Sequence, residues 1–217
     1  MLKKKKAHVL LATTPEIRED ALKVIHEIYI KEKNWVQSVD EVFPEEDLTN
    51  SDLAWFVVYS EDKPAGILRI MYNLPVHLYK QYDFKLTVKG FDVETFLQHN
   101  KIAEIGRFAI IRRYQRRISV LSALMNAAAE HTLNRGYNHY VTDVFEGEIN
   151  SPLNFHIRVL GFKPVATHDT GEINCANRRV TLILNIKDAL ERHERKNSRL
   201  WRDIGRRLSL TKGIQTA

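Results

Sequence analysis

The stretch from residue 101 to 162 constrains the fold more than any other. KIAEIGRFAII (101–111) has apolar residues around a polar centre and reads as a strand, and RRYQRR (112–117) is a basic turn. ISVLSALMNAAAEHTLNRG (118–136) reads as a helix: Ile118, Leu121, Leu124, Met125, Ala128 and Leu133 form an apolar stripe, and Gly136 stands where a helix ends. HYVTDVF (139–145) is the next strand, and residues 150–160 read as a helix with Pro152 in its first turn and Gly161-Phe162 after its end. Strand, turn, long helix and strand make an α/β unit with neighbouring strands in one sheet. Ligands bind at the carboxyl ends of such strands. The basic turn lies at one of those ends, ahead of a helix N-terminus, which is a ready anion site. The order therefore predicts a phosphate-bearing ligand at residues 112–119; the plain alternative is a solvated arginine-rich loop.

The remaining elements fit around this unit. HVLLAT (8–13) reads as a strand, and Pro15 to Lys31 as a helix capped by Thr14, with Ile17, Ala21, Val24, Ile25 and Ile28 at helical spacing. Residues 34–52 read as loop or short helical pieces. AWFVVYS (54–60) and GILRIMYN (66–73) flank turn chemistry and form a hairpin. Residues 74–100 carry less pattern, with a short helix expected near 92–100. FKPVA (162–166) and RRVTLILNI (178–186) are late strands, and the last 30 residues read as an arginine-rich helix.

Composition narrows the class. A chain of 217 residues can bury a real core, and 44% apolar with 28% charged residues excludes disorder as the main state. A lone cysteine, Cys175, excludes an intramolecular disulfide and a cysteine-based zinc site, and the histidines lack metal-ligand spacing, so no metal is expected. The apolar run behind the N-terminal lysines, Ala7 to Ala12, is too short for a signal or spanning segment, so a cytoplasmic location is expected. Net charge is +6, gathered in residues 1–6, 101–117 and 186–217. Such patches point to an acidic partner. No nucleic-acid motif accompanies them, so no specific nucleic acid is expected.

With these residues in view, the chain from about residue 8 to 186 resembles the GCN5-related acyltransferase superfamily. The strand 102–111, turn and helix 112–135, strand 139–145 and helix 150–162 ending in Gly-Phe follow its order. That resemblance implies an α+β fold: a central mixed, mostly antiparallel sheet, splayed mid-way and flanked by helices. It implies an acyltransferase domain over 1–186, followed by a basic C-terminal helix or tail over 187–217. The superfamily's pyrophosphate turn, Gln/Arg-x-x-Gly-x-Gly/Ala, aligns with Gln115-Arg116-Arg117-Ile118-Ser119-Val120, where both small positions are β-branched. Narrower motifs, EIGRFAI (104–110), EIYIKEKNWV (27–36) and GILRI (66–70), are similar to those of autoinducer synthases and long-chain N-acyl amino acid synthases. Gly106 stands where those families have a serine.

This resemblance implies an N-acyltransferase that moves an acyl group, a fatty acyl above all, from acyl carrier protein or acyl-CoA to the amine of an amino acid or related small molecule. A conventional acetyl-CoA N-acetyltransferase is the alternative. Amide formation needs a base for the amine, donors for the oxyanion and a proton for the thiolate. Glu104 is the candidate base; the alternative is an ion pair with Arg107, which requires a bulge to turn both to one face. The superfamily's thiolate acid, a tyrosine, falls at Ile157, and His156 is the substitute considered. Arg107, Phe108, Ala109 and Ile110 are implied to hold the pantetheine. Gln115, Arg116, Arg117, Ile118 and Ser119 are implied to hold the phosphates. Trp35, Arg69, Asp143 and Asn150 are the substrate-binding candidates. The C-terminal segment, with Leu200, Trp201, Ile204 and Leu208 on one side, is read as packing on the domain, docking carrier protein or lying on an anionic membrane at its inner face.

Overall fold

A computed structural model describes residues 7–74, 83–147, 151–169 and 177–195. Eight strands form one sheet: β1 (His8–Leu11), β2 (Leu53–Ser60), β3 (Lys63–Met71), β4 (Lys85–Leu86), β5 (Ile102–Ile110), β6 (His139–Phe145), β7 (Lys163–His168) and β8 (Arg179–Asn185). Their order across the sheet is β1-β2-β3-β5-β6-β8-β7-β4. Every neighbouring pair is antiparallel except β5 and β6, which are parallel. That pair is short: Ile102, Ala103 and Glu104 lie beside His139, Tyr140 and Val141, and beyond them the strands part. The sheet is thus split at its middle, just after Glu104.

Helix α1 (Pro15–Ile25) packs on β2, β3 and β5, and runs on as a π-helical turn, His26–Glu32. The short helix α2 (Val93–His99) is capped by Asp92. Helix α3 (Ile118–Asn134) packs on β1, β2 and β3 from the other side. Alternation along a strand explains this division. In β2, Trp55 stacks on Phe43 on the α1 face, while Phe56 meets His131 of α3. Leu124, Met125 and Ala128 of the expected stripe are buried, but Ile118, expected in it too, is 59% exposed. It stands in the first turn of α3, ahead of the sheet. A second π-helical turn, Phe155–Leu160, takes the place of the expected regular helix, and α4 (Ile186–Arg195) follows β8. The amphipathic reading beyond residue 195 falls outside the described residues, as do Asn150 and Cys175.

One irregularity shapes the site. Between β3 and β5, Ile67 faces Ala109 but Arg69 faces Gly106, so β5 carries one extra residue. Arg107 takes it up with a φ of 49°. This is the bulge the sequence reasoning required.

Candidate active site

The α1 face of the sheet at the split carries the charged groups. Arg69 on β3 donates through Nη2 to Glu104 Oε1 on β5 at 2.9 Å, and the side chains are 7% and 22% exposed. Glu104 therefore has an ion-pair partner in Arg69, a pairing the sequence reasoning did not name. Arg69, read as a substrate contact, is a buried holder of Glu104. Its guanidinium also lies 6.0 Å from the centre of the Trp55 ring. Trp55 Nε1 donates to Asp47 at 2.8 Å. Burial pushes the Asp47 carboxyl up, opposed by the Trp55 bond and by Arg69 and Arg107. Burial likewise pushes Tyr29 up, so it is a neutral phenol, again within the field of Arg107 and Arg69. The bulge has thus turned Arg107 onto the same face as Arg69.

Gly106 fits this arrangement. A Cβ there would sit 2.7 Å from Glu104 Oε1 and 3.6 Å from Arg69 Nη2. The carboxylate lies over the glycine, in space a side chain would take.

Aromatic rings wall the site. Trp35, behind the first π-turn, packs edge-on to Tyr29 at 5.5 Å and against Phe145 at the end of β6 at 5.1 Å. It joins the π-turn to the end of β6. Asp143, read from sequence as facing substrate or solvent, is exposed; it accepts from the Thr181 hydroxyl at 2.6 Å and lies 3.2 Å from His168 Nε2.

His156 lies against Phe108 and Phe162, with ring centres 6.5 Å and 5.4 Å away. Its Nδ1 is 2.9 Å from the Pro152 carbonyl, which only accepts, so Nδ1 carries the proton. Burial pushes its pKa down, which makes it neutral. Nε2 then offers a lone pair, the opposite of what a thiolate acid needs.

The basic turn forms as expected, with its charges divided. Arg117 donates to Ser60 at 2.9 Å and Glu61 at 2.7 Å, so its guanidinium faces the β2–β3 turn rather than a cofactor. Gln115 donates to the Ile110 carbonyl at 3.0 Å, tying the turn to β5. Arg112, Arg113, Arg116 and Ser119 are exposed. Phe108, Ala109 and Ile110 lie past the split, with β3 on one side and no strand on the other among the described residues.

Beside Glu104, on the β6 side, the same face opens into an apolar cavity of about 650 Å³ that the sequence reasoning missed. It begins at Ile102 and Val141 and runs beneath Phe84, Leu86, Phe96 and Leu97. The only signal for it was apolar residues scattered through 83–97 without periodicity. Among the described residues, no cluster of three or more metal-ligating side chains exists, and no helix is long and apolar enough to cross a membrane.

Comparison with known proteins agrees with this fold. Residues 22–162 match the acetyltransferase (GNAT) family. Among solved structures, FeeM, an N-acyl amino acid synthase from uncultured soil microbes, superposes with a TM-score of 0.63 at 14% identity, covering 88% of this chain and 95% of that one. BjaI, a CoA-dependent acyl-homoserine lactone synthase, gives 0.56 at 17% identity, covering 88% of each chain. Aminoglycoside 6'-acetyltransferase type Ii gives 0.58 at 13% identity, covering 84% and 97%. These likenesses establish the shared fold. No curated protein sequence matches the chain.

Proposed function

The chain belongs to the acetyltransferase (GNAT) family and is an acyltransferase, and from that premise we propose that it places a fatty acyl group on the amine of an amino acid or related small molecule. The donor is a phosphopantetheine thioester, on acyl carrier protein or coenzyme A. The observation that carries this is the position of Glu104, at the split between a charged half of the face and an apolar half. A polar amine with an anionic group suits Arg107, Tyr29 and Trp35. The N-acyl amino acid synthase and the acyl-homoserine lactone synthase among the structural neighbours support the reading.

The thioester lies against Phe108–Ile110, whose backbone on the side away from β3 faces the gap, and its phosphate meets Arg112, Arg113 and Arg116 at the start of α3. Arg69 holds Glu104 where a proton leaves the incoming ammonium, directly or through water. The freed amine attacks the thioester carbonyl, the C–N bond forms and the C–S bond breaks. The thiolate takes a proton from solvent or from Glu104, since His156 carries none to spare. The sum is thioester plus ammonium giving amide, thiol and one proton.

The test is mass spectrometry of lipid extracts from bacteria expressing the wild type or Glu104→Ala, with the variant's folding checked by its melting curve. New N-acyl amines that vanish with a folded Glu104→Ala are expected. Purified wild type that acylates amines from acetyl-CoA but from no long-chain donor would refute the fatty acyl assignment.

A further inference from the structure

Near the end of β6 a carboxylate is held by buried groups that the reaction above leaves unused. We propose that Asp143 anchors a second positive charge on the acceptor, so that the acceptor is an amino acid whose side chain ends in an ammonium group. This assignment rests on the acyltransferase reading of the site and adds the acceptor's class to it.

Three observations carry it. First, Asp143 stands on the face where the acceptor reacts. Val141 pairs with Glu104 across the parallel strands, and Asp143 and Phe145 follow at alternate positions, so all three share the α1 face. Only Asp143 of the three is exposed. Phe145 packs against Trp35, so Asp143 lies between the row of Glu104 and an aromatic wall of the site. The strands have parted here, and Arg107 on β5 and Asp143 on β6 put opposite charges on the two sides of the gap. Second, the carboxylate is built in. Its Oδ1 accepts from the Thr181 hydroxyl at 2.6 Å and lies 3.2 Å from His168 Nε2. Thr181 is 1% and His168 2% exposed, so both groups that fix Oδ1 are buried. Among the described residues Oδ2 has no partner, and no lysine or arginine stands within ion-pair distance of Asp143. Arg179, the next cation on this face, donates to the Asp169 carbonyl at 2.9 Å and lies over the Phe145 ring. A carboxylate with one oxygen fixed and one open takes a charge-assisted hydrogen bond from a cation without rearranging. Third, the spacing selects a long acceptor. Glu104 and Asp143 are about 8 Å apart at Cα, one strand spacing across and two residues along. Their carboxylates lean to opposite sides, Glu104 to Arg69 on β3 and Asp143 to Thr181 on β8. One ammonium cannot meet both. An amino acid with about three or four side-chain methylenes before a terminal ammonium spans the gap, with a hydrogen bond of about 2.8 Å at either end. Its α-amine then lies at Glu104, its carboxylate at Arg107 and its distal charge at Asp143.

The experiment is an acceptor series with one donor thioester, on wild type, Asp143→Asn and Asp143→Lys. The acceptors are ornithine, lysine, norleucine, which has ornithine's length without the charge, and 2-aminoadipate, which puts a carboxylate in its place. Wild type is expected to favour ornithine or lysine over norleucine by about tenfold or more in kcat/KM, with the acyl group on the α-nitrogen. In Asp143→Asn that ratio falls about tenfold, and the fall lies in KM rather than kcat. In Asp143→Lys the preference turns to 2-aminoadipate, a gain that misfolding cannot mimic. A wild type that uses norleucine as well as ornithine overturns the inference, as do an unchanged ratio in folded Asp143→Asn and a product acylated on the distal nitrogen. If wild type transfers to no amine, the function fails but the anchor is still read, by the shift in melting temperature that ornithine and norleucine produce. A shift given by ornithine, absent with norleucine and lost in Asp143→Asn supports the inference; equal shifts from the two, or none from ornithine, overturn it.

Discussion

Replacing Arg69 with methionine separates the two roles Glu104 can play. Arg69 and Glu104 form a 2.9 Å pair, and the Arg69 side chain is 7% exposed. Removing one member of a buried pair costs about 3–5 kcal/mol, because the partner charge is left stranded. Glu104 keeps 22% of its side chain in contact with water, which relieves part of that cost. The lost cation over Trp55 adds a little back. The expected loss for Arg69→Met is therefore about 2–3 kcal/mol, or roughly 5–10 °C in Tm for a chain of this size. Glu104→Met alone removes the carboxylate 2.9 Å from Arg69 and costs about as much. The double variant puts two apolar side chains of similar volume face to face, which is near neutral in comparable cases. A double-mutant cycle read by urea unfolding should then give a coupling of about 4–6 kcal/mol, the sum of the two single losses. Stability returns in the double variant, but transfer does not, staying about 10²–10⁴ below wild type if Glu104 takes the proton. A coupling under about 0.5 kcal/mol, the range of exposed pairs, would refute the structural reasoning. Activity returning with stability would refute the catalytic role.

Three further outcomes are expected. Gly106→Ala puts a Cβ 2.7 Å from Glu104 Oε1; the displaced carboxylate should cost about 10²-fold in kcat while the melting curve moves far less than for Arg69→Met. Gly161→Ala strains a residue at φ 92° and drives its Cβ into Arg192 Nη2, which bonds the Leu160 carbonyl at 2.6 Å; a loss of about 2–4 kcal/mol in urea unfolding is expected. Acid should weaken the fold through His156, whose folded pKa lies below its ordinary 6.5 because it is buried. As pH falls below about 6.5 the unfolded chain binds the proton first, so stability is complete above that value and declines toward the folded pKa. The slope is at most about 1.4 kcal/mol per pH unit from this residue. Burial shifts His131 and His139 in the same direction, and they add smaller amounts. Tm measured from pH 7.5 to 5 should fall, and His156→Phe should flatten the fall; an unchanged slope refutes the assignment.

The elements of the fold were largely legible because each has a local cause. Short apolar runs mark β2, β3, β6 and β8, Thr14 and Pro15 start α1, and Gly161-Phe162 closes the second π-turn. What was not legible depends on register across the chain. The two-residue strand β4 is too short to carry a pattern, and it exists because Lys85 and Leu86 meet Thr167 and Ala166. The π-turns were read as regular helix, since an inserted residue leaves the apolar spacing almost unchanged. Ile118 has helical spacing with Leu121 and Leu124, yet spacing alone cannot say where the sheet stops beneath a helix.

The site divides along the same line. Glu104, Arg69 and Arg107 were found, because charges inside apolar strands stand out, but their pairing was not. Arg69 reaches Glu104 from another strand, 35 residues away in the chain, and the match is fixed by a register that the bulge at Arg107 resets. Without that extra residue, 104 and 107 would face opposite sides, and the two arginines would not share a field. Gly106 shows why the parts must be read together. A glycine inside a buried strand weakens it, and in isolation it looks like a lapse from the serine of the resembling families. Beneath Glu104 it is the space the carboxylate occupies. The same carboxylate marks the border between a charged and an apolar half of one face, and the proposed reaction, which joins a polar amine to a hydrocarbon acyl group, uses both sides of that border.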